Sequence, residues 1–314
     1  MTIQQLEYII AVDNYRHFAK AAEACYVTQP TLSMMIQKLE DELDVKVFDR
    51  MVQPVAPTEI GEKIIKQAHT SIFHFNQIKE LVNNEKDILI GNFKLGVIPT
   101  IASYLVPELL RFINQSEIEI NLLMQEIPTY VIVENVLNGK IDGGLAATPL
   151  KNPHLVEIPI YYEKFYAYLS PEDEFFDQEE IDLKDIDIRH VWLLNDIHCL
   201  RGQVETLCKK KKEDDQHKTA NYESGSLDTL INIVDYNGGL TIIPEMTAMG
   251  LPEEKQNNLR KIKGDVSVRE ISLVVSRDFV RQKMAGAIVD MIKGAVPKSM
   301  LNPELKKFVI DVQY

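Results

Sequence analysis

Cysteine is scarce in this 314-residue chain: Cys25, Cys199 and Cys208 are too few and too odd in number for a disulfide framework, and none stands at zinc-finger spacing. Any disulfide would have to be transient and functional, and no metal site is implied. No apolar run approaches the roughly 18 residues of a membrane helix, and residues 1–10 lack the basic start and apolar middle of a secretory signal. A cytoplasmic protein with no membrane partner is expected. Positive charge is also short, 34 Lys and Arg against 47 Asp and Glu, for a formal net charge of −13. That balance excludes polyanion binding by the molecule as a whole but leaves room for a local basic surface. No internal repeat is apparent. The one low-complexity run, lysines 209–212 followed by Glu213, Asp214 and Asp215, reads as a solvated helix end.

What is present suffices for two domains, since 45% of the residues are hydrophobic and the length allows two separate cores. Residues 1–86 carry nine Lys or Arg against twelve Asp or Glu, so the first segment is not basic. Within it, however, 24–39 holds no acidic residue, and Arg16, Lys20, Lys38, Lys46 and Arg50 lie in or around that stretch. A focused positive face is therefore available. The pattern over 2–43 reads helix, turn, helix: residues 18–24 are strong helix formers, and Leu32, Ile36 and Leu39 recur at helical spacing. Thr28 before Gln29 and Pro30 is a hydroxyl cap followed by a proline in the first turn, which starts the second helix near Gln29.

That second helix leaves Gln29, Thr31, Ser33, Met34, Gln37 and Lys38 outside its apolar face. A helix fits the major groove, where Gln can pair twofold with adenine and Met can touch a thymine methyl. The helix amino terminus, with Pro30 in its first turn, can hold a phosphate. The same residues would also serve as the solvent face of a small helical domain. From 58 to 86 there is no proline, and Ile64, Ala68, Ile72, Phe75, Ile78 and Val82 follow at steps of three and four. One long helix of about 40 Å is predicted, longer than a small domain is wide, and its stripe asks for a partner chain. Beyond residue 87 short β-rich runs (93–98, 118–123, 271–275) alternate with helical ones such as 130–137, which predicts an α/β domain. The stretches 161–169 and 270–276 are placed as crossings between two sheets.

Two thiols fall in one short segment, Cys199 and Cys208, with His198 and Arg201 beside the first. Small buried apolar groups are the ordinary reading of such cysteines, and Cys25 is read that way. Yet a thiolate is the reactive form, and a cation such as Arg201 or a helix amino terminus would depress the thiol pKa, with His198 as hydrogen-bonding neighbour.

In order, Phe18-Ala19-Lys20-Ala21-Ala22, Val27-Thr28-Gln29-Pro30-Thr31-Leu32-Ser33, Ile36-Gln37-Lys38-Leu39-Glu40 and Phe48-Asp49-Arg50 resemble the winged helix of LysR-type transcriptional regulators. The chain departs from that family at Pro57, where a leucine usually precedes the threonine of the linker helix, and at Ile60-Gly61, usually Ala-Gly. The resemblance implies a multidomain α/β protein: a winged helix-turn-helix over 1–57, a linker and dimerisation helix over 58–88, and a two-lobed regulatory domain of periplasmic-binding-protein type over 89–314. DNA contacts would come from Gln29, Pro30, Thr31, Ser33, Met34, Gln37, Lys38 and Arg50, with Arg50 and Lys38 on phosphates.

The segment from His198 to Cys208 further resembles the hydrogen peroxide-sensing branch of that family, as do Gly96-Val97-Ile98-Pro99-Thr100, Glu126-Ile127-Pro128-Thr129, residues 226–230 and 238–244. The resemblance implies that Cys199 is oxidised and Cys208 resolves it, that Thr100, Thr129 and His198 hold peroxide, and that Arg201 and Arg269 assist. Gly202 stands where that branch often has aspartate. Implied partners are promoter DNA, hydrogen peroxide, RNA polymerase, a thiol reductant and further copies of the chain, as a dimer and by resemblance a tetramer. No cofactor is implied. Two rivals remain: a LysR-type regulator answering a small organic effector, and a thiol peroxidase. The winged helix weighs against an enzyme.

Overall fold

A computed structural model of the chain describes all residues except 86–89, 116–119, 209–221, 223, 265–266 and 313–314. The lysine run at 209–212 and the acidic residues after it lie outside the described residues. Two compact units result, Met1–Ile88 with Asn135–Lys140, and Leu89–Glu134 with Ile141–Tyr314.

The first unit opens with helices α1 (Ile3–Tyr15), α2 (Phe18–Ala24) and α3 (Gln29–Leu43). Thr2 caps α1 in a reciprocal box with Gln5, and Thr28 caps α3 at the position that its sequence predicts. Leu32, Ile36 and Leu39 are fully buried with Ile9, Val12 and Ala21. A two-stranded wing follows, β1 (Phe48–Asp49) antiparallel to β2 (Ala56–Pro57), with Phe48 opposite Pro57. Pro57 is thus absorbed into the wing's last pair. The long helix α4 (Glu59–Glu85) begins after Thr58, whose hydroxyl accepts from the Gly61 amide at 3.0 Å and donates to the Lys46 carbonyl at 2.6 Å. A Cβ on residue 61 would overlap the Val47 carbonyl oxygen, so glycine is required there. Along α4, Ile65 and Ala68 are buried and Ile64 and Ile72 pack on the amino-terminal core, whereas Phe75, Ile78, Leu81 and Val82 are exposed.

The second unit is the two-lobed α/β domain. Its first lobe contains β3 (Gly91–Val97), α5 (Pro99–Asn114), β4 (Ile120–Glu126), α6 (Thr129–Leu137) and β5 (Gly143–Thr148). The chain then enters β6 (Leu155–Leu169), passes β7 (Glu180–Ile181) and reaches α7 (Cys199–Leu207), α8 (Leu227–Asn237), β8 (Leu240–Pro244), α9 (Glu245–Gly250) and α10 (Glu253–Gln256). It returns through β9 (Leu259–Ile262) and β10 (Val268–Ser276) to α11 (Gln282–Ala295). The first sheet runs β4-β3-β5-β10-β6, with β3 parallel to both β4 and β5 and β10 antiparallel to β5 and β6. The second contains β6, β8, β9 and β7.

Strand β6 belongs to both sheets. Residues Leu155 to Lys164 pair with β10, then Phe165 to Leu169 pair with β8. This is the crossing expected over 161–169. The return crossing lies between β9 and β10, so the expected second crossing stands slightly later in the sequence than the true one. Because β6 and the start of β10 lie side by side at the junction of the lobes, their side chains are fixed on two lobes at once. Glu163 and Arg269 occupy those positions, opposite each other in register.

Candidate functional site

The thiol of Cys199 lies where the carboxy-terminal lobe meets the first lobe. Cys199 is the first residue of α7 and is 4% exposed. The hydroxyl of Thr129, which opens α6 of the first lobe, donates to its sulfur at 3.7 Å. Arg269 provides the nearby positive charge. Its guanidinium is fully buried and spans three partners: Glu163 Oε1 at 2.6 Å, Thr100 Oγ1 at 3.0 Å and the Thr100 carbonyl at 3.2 Å. The other Glu163 oxygen accepts from the Met246 amide at 3.3 Å. Thr100, Thr129, Cys199 and Arg269 thus form one contiguous buried cluster assembled from both lobes.

The electrostatics differ from the sequence expectation in sign and in source. Burial pushes the Cys199 thiol above its ordinary value and outweighs the lowering by Arg269, the Thr129 hydroxyl and the backbone amides of Cys199 and Leu200. Arg201, expected to depress that pKa, instead pairs with Asp196 at 2.9 Å and Glu205 at 3.0 Å and donates to the Leu194 carbonyl. Two positions along the helix turn it about 200° away from Cys199, and the cation that serves Cys199 comes from 70 positions downstream. His198 is buried, and burial lowers its pKa against a hydrogen bond with the Gly225 backbone. Its Nε2 has no partner among the described residues. Thr129, not His198, is the side chain bonded to the sulfur. A cavity of about 30 Å³ opens beside His198, lined also by Thr100, Tyr104, Glu126 and Ser226 among others.

Cys208 caps the far end of α7 and packs in the carboxy-lobe core with Leu200, Val204 and Leu230. Burial raises its thiol pKa to about 11. Both cysteines are free thiols. Gln203 was missed in the sequence. It sits one turn from Cys199 on α7, is fully buried, and neither end of its amide has a partner among the described residues. Its i+4 spacing from Cys199 was the available signal. Glu163 carried no local signal, because its partner Arg269 is 106 residues away.

In the amino-terminal unit, Gln29, Pro30, Thr31, Met34 and Lys38 are exposed on α3, with Ser33 and Gln37 half-buried on the same side. The Thr31 hydroxyl shares a hydrogen bond with that of Thr28 at 2.8 Å, and Gln37 donates to Asp41 at 2.6 Å. Arg50 is anchored: it pairs with Glu40 at 3.2 Å, reaches Ser33 at 3.5 Å and lies over the Phe18 ring. Glu40 is buried and also accepts from the Val47 and Phe48 amides. Arg50 therefore joins the wing to α3 whatever else it touches. Cys25 is half-buried against the same core, and burial raises its pKa.

A winged helix-turn-helix followed by a long helix and a two-lobed α/β domain defines a class of DNA-binding transcriptional regulator. The family description "Bacterial regulatory helix-turn-helix protein, lysR family" matches residues 3–62, and "LysR substrate binding domain" matches residues 87–297. The chain belongs to the LysR family. Among its relatives, the DNA-binding transcriptional dual regulator OxyR of Escherichia coli K12 is 30% identical over 82% of this chain and 83% of its own length. The hydrogen peroxide-inducible genes activator of Haemophilus influenzae is 30% identical over 79% of this chain and 82% of its own. A full-length OxyR structure from Pseudomonas aeruginosa, with a cysteine changed to aspartate, superposes with a TM-score of 0.76 at 28% identity, covering 93% of this chain and 98% of that one. No helix among the described residues is long and apolar enough to cross a membrane.

Proposed function

We propose that the chain is a peroxide-responsive transcriptional regulator in which residues 1–57 bind promoter DNA, 58–88 join two copies, and 89–314 sense hydrogen peroxide. The observation that carries this reading is the buried Cys199 sulfur held by Thr129 near Arg269, with a second thiol at the opposite end of the same helix. The small cavity beside His198 supports it further. At about 30 Å³ it has room for roughly two waters, which suits a molecule the size of a peroxide.

The chemistry follows from those groups. The Cys199 thiolate attacks one peroxide oxygen; the S–O bond forms, the O–O bond breaks, and the second oxygen leaves as hydroxide to become water. Hydroxyl donors such as Thr129, together with the Arg269 charge, favour the developing negative charge. Cys208 then attacks the Cys199 sulfenic acid, forming the disulfide and releasing water. A thiol reductant returns two electrons and resets both cysteines. The exposed stripe from Phe75 to Val82 on α4 suits a dimer seam, with a tetramer as the larger assembly and RNA polymerase as the partner at the promoter.

Mapping by mass the peptides containing Cys199 and Cys208, before and after brief peroxide exposure, tests the reading. A reversible link between those two cysteines is expected, along with a changed DNA footprint that Cys199→Ser abolishes. A peroxide-dependent footprint shift in Cys199→Ser protein would overturn it.

A further inference from the structure

Glu163 is a fully buried carboxylate on β6, directly opposite Arg269 of β10. A charge so placed is costly unless it is paired. Its Oε1 accepts from Arg269 Nε at 2.6 Å, and its Oε2 accepts from the Met246 amide of α9 at 3.3 Å. The other edge of the guanidinium is directed to the first lobe, where Nη1 donates to the Thr100 hydroxyl and Nη2 to the Thr100 carbonyl. Glu163 therefore takes the Nε side of the planar fork and fixes the orientation in which the two remaining nitrogens reach Thr100.

The same pairing divides a charge. Arg269 is the cation that favours the Cys199 thiolate, and the sulfur, the guanidinium and the carboxylate are all buried. In such a medium two anionic groups compete for one cation, and the carboxylate already has it bonded. Other titratable groups face the pair. Tyr161 of β6 is buried near Glu163 and Arg269, and burial and Glu163 hold its phenol well above the ordinary range. Glu245, which opens α9, adds a further negative charge near Glu163. His198, just before Cys199, has its pKa lowered by burial. Tyr161 and His198 are thus neutral where Cys199 begins to ionise, and the balance turns on Arg269 against the two glutamates.

We infer that Glu163 is a positioning residue for Cys199: it fixes Arg269 across the junction of the lobes and holds back part of its charge from the sulfur. The inference deepens the peroxide-sensing reading and rests on it for the choice of Cys199 as the reacting group. Its consequence is a sensor less reactive than the buried cation alone would make it, so that a low background of oxidant leaves Cys199 reduced.

The test follows alkylation of each cysteine by iodoacetamide in the full-length reduced protein across pH, read peptide by peptide by mass. Glu163→Gln keeps the shape of the side chain and removes its charge, so the sulfur gains the whole of Arg269. The Cys199 midpoint is expected to fall, with alkylation at about pH 7 rising on the order of tenfold, the effect of an uncompensated neighbouring cation. Cys25 and Cys208 are internal controls: a general loosening would speed them too, whereas they are expected to keep their profiles. In an Arg269→Gln background, adding Glu163→Gln is expected to leave the Cys199 profile where Arg269→Gln alone puts it. Glu163→Asp, which keeps the charge on a shorter arm, is expected to fall between wild type and Glu163→Gln. An unchanged or higher midpoint in Glu163→Gln, or in Glu163→Asp should the glutamine variant fail to fold, overturns the inference, as does an equal shift without Arg269. Alkylation needs no peroxide, so a wild-type Cys199 that hydrogen peroxide leaves unoxidised overturns the peroxide reading separately.

Discussion

Replacing Gly202 by alanine tests whether α7 must unwind for the two cysteines to meet. The helix runs from Cys199 to Leu207, and Cys208 follows in extended conformation. Nine steps at helical rise put the two Cα atoms about 13 to 14 Å apart, whereas a disulfide allows roughly 4.4 to 6.8 Å. About half the separation has to vanish before the S–S bond forms. Glycine inside a helix costs about 0.5 to 1 kcal/mol relative to alanine. If α7 is unwound in the transition state of the resolving step, Gly202→Ala raises that barrier by the same amount, which slows disulfide formation about two- to fivefold. The oxidation of Cys199 occurs with the helix intact and should keep its rate. Rapid quenching at intervals after peroxide addition, with a dimedone-type probe for sulfenic acid and alkylation for free thiol, separates the two steps. Val204→Ala, which weakens the packing of α7 in the carboxy-lobe core, should move the resolving step in the opposite direction. An unchanged or faster second step in Gly202→Ala, or an equal slowing of both, would refute the unwinding argument.

Three further outcomes are expected. Gln29→Ala should lose about 1 to 3 kcal/mol of binding on specific DNA and little on random DNA, while Arg50→Ala should weaken both and also lower the melting temperature, since it leaves the buried Glu40 short of a cation; equal losses on both DNAs for Gln29→Ala would sink the base-contact role. Phe75→Glu with Ile78→Glu, both exposed in the single chain, should give monomers by light scattering, and an unaltered dimer would place the seam elsewhere. Ile72 is a poorer choice, because it packs on the amino-terminal core. Because burial raises the Cys199 thiol above its ordinary value, its thiolate fraction and oxidation rate should still be climbing at about pH 9, and Arg269→Gln should lower the rate at every pH. A plateau below neutrality would contradict that direction.

Local chemistry was legible where the interacting groups are neighbours in sequence. Thr28, Gln29 and Pro30 specify the start of α3 because a cap and a first-turn proline act within one turn. Leu32, Ile36 and Leu39 specify its buried face because helical period brings them together. The long apolar stripe of α4 divides in a way periodicity does not distinguish, with Ile65 and Ala68 covered by the winged domain and Phe75, Ile78, Leu81 and Val82 left exposed. At the sensor, sequence adjacency misleads. Arg201 is two residues from Cys199 yet faces Asp196 and Glu205, whereas Arg269 arrives through strand pairing of β10 with β6. The resemblance to a known family supplied Thr100, Thr129 and Arg269, which composition and spacing could not.

The two faces of α7 explain how, under the proposed switch, a two-electron event at one sulfur would become a change of packing. One face presents Cys199 and Gln203 to the junction of the lobes, and the other buries Leu200, Val204 and, at the helix end, Cys208 in the carboxy-lobe core. Burying an aliphatic side chain of this size contributes about 1.5 to 3 kcal/mol, so the reduced arrangement is held by several such terms acting together. A disulfide between the ends of α7 is incompatible with all of them at once, because the geometry that satisfies the bond removes the helix that places Leu200 and Val204. The covalent bond would therefore select a second packing rather than perturb the first, which is the condition for a bistable switch. Under the proposed switch, reduction would remove the covalent constraint on that second state, and the apolar face of α7 would drive the return. Gly202, which costs helix stability relative to alanine, would then set how readily the chain passes between the two.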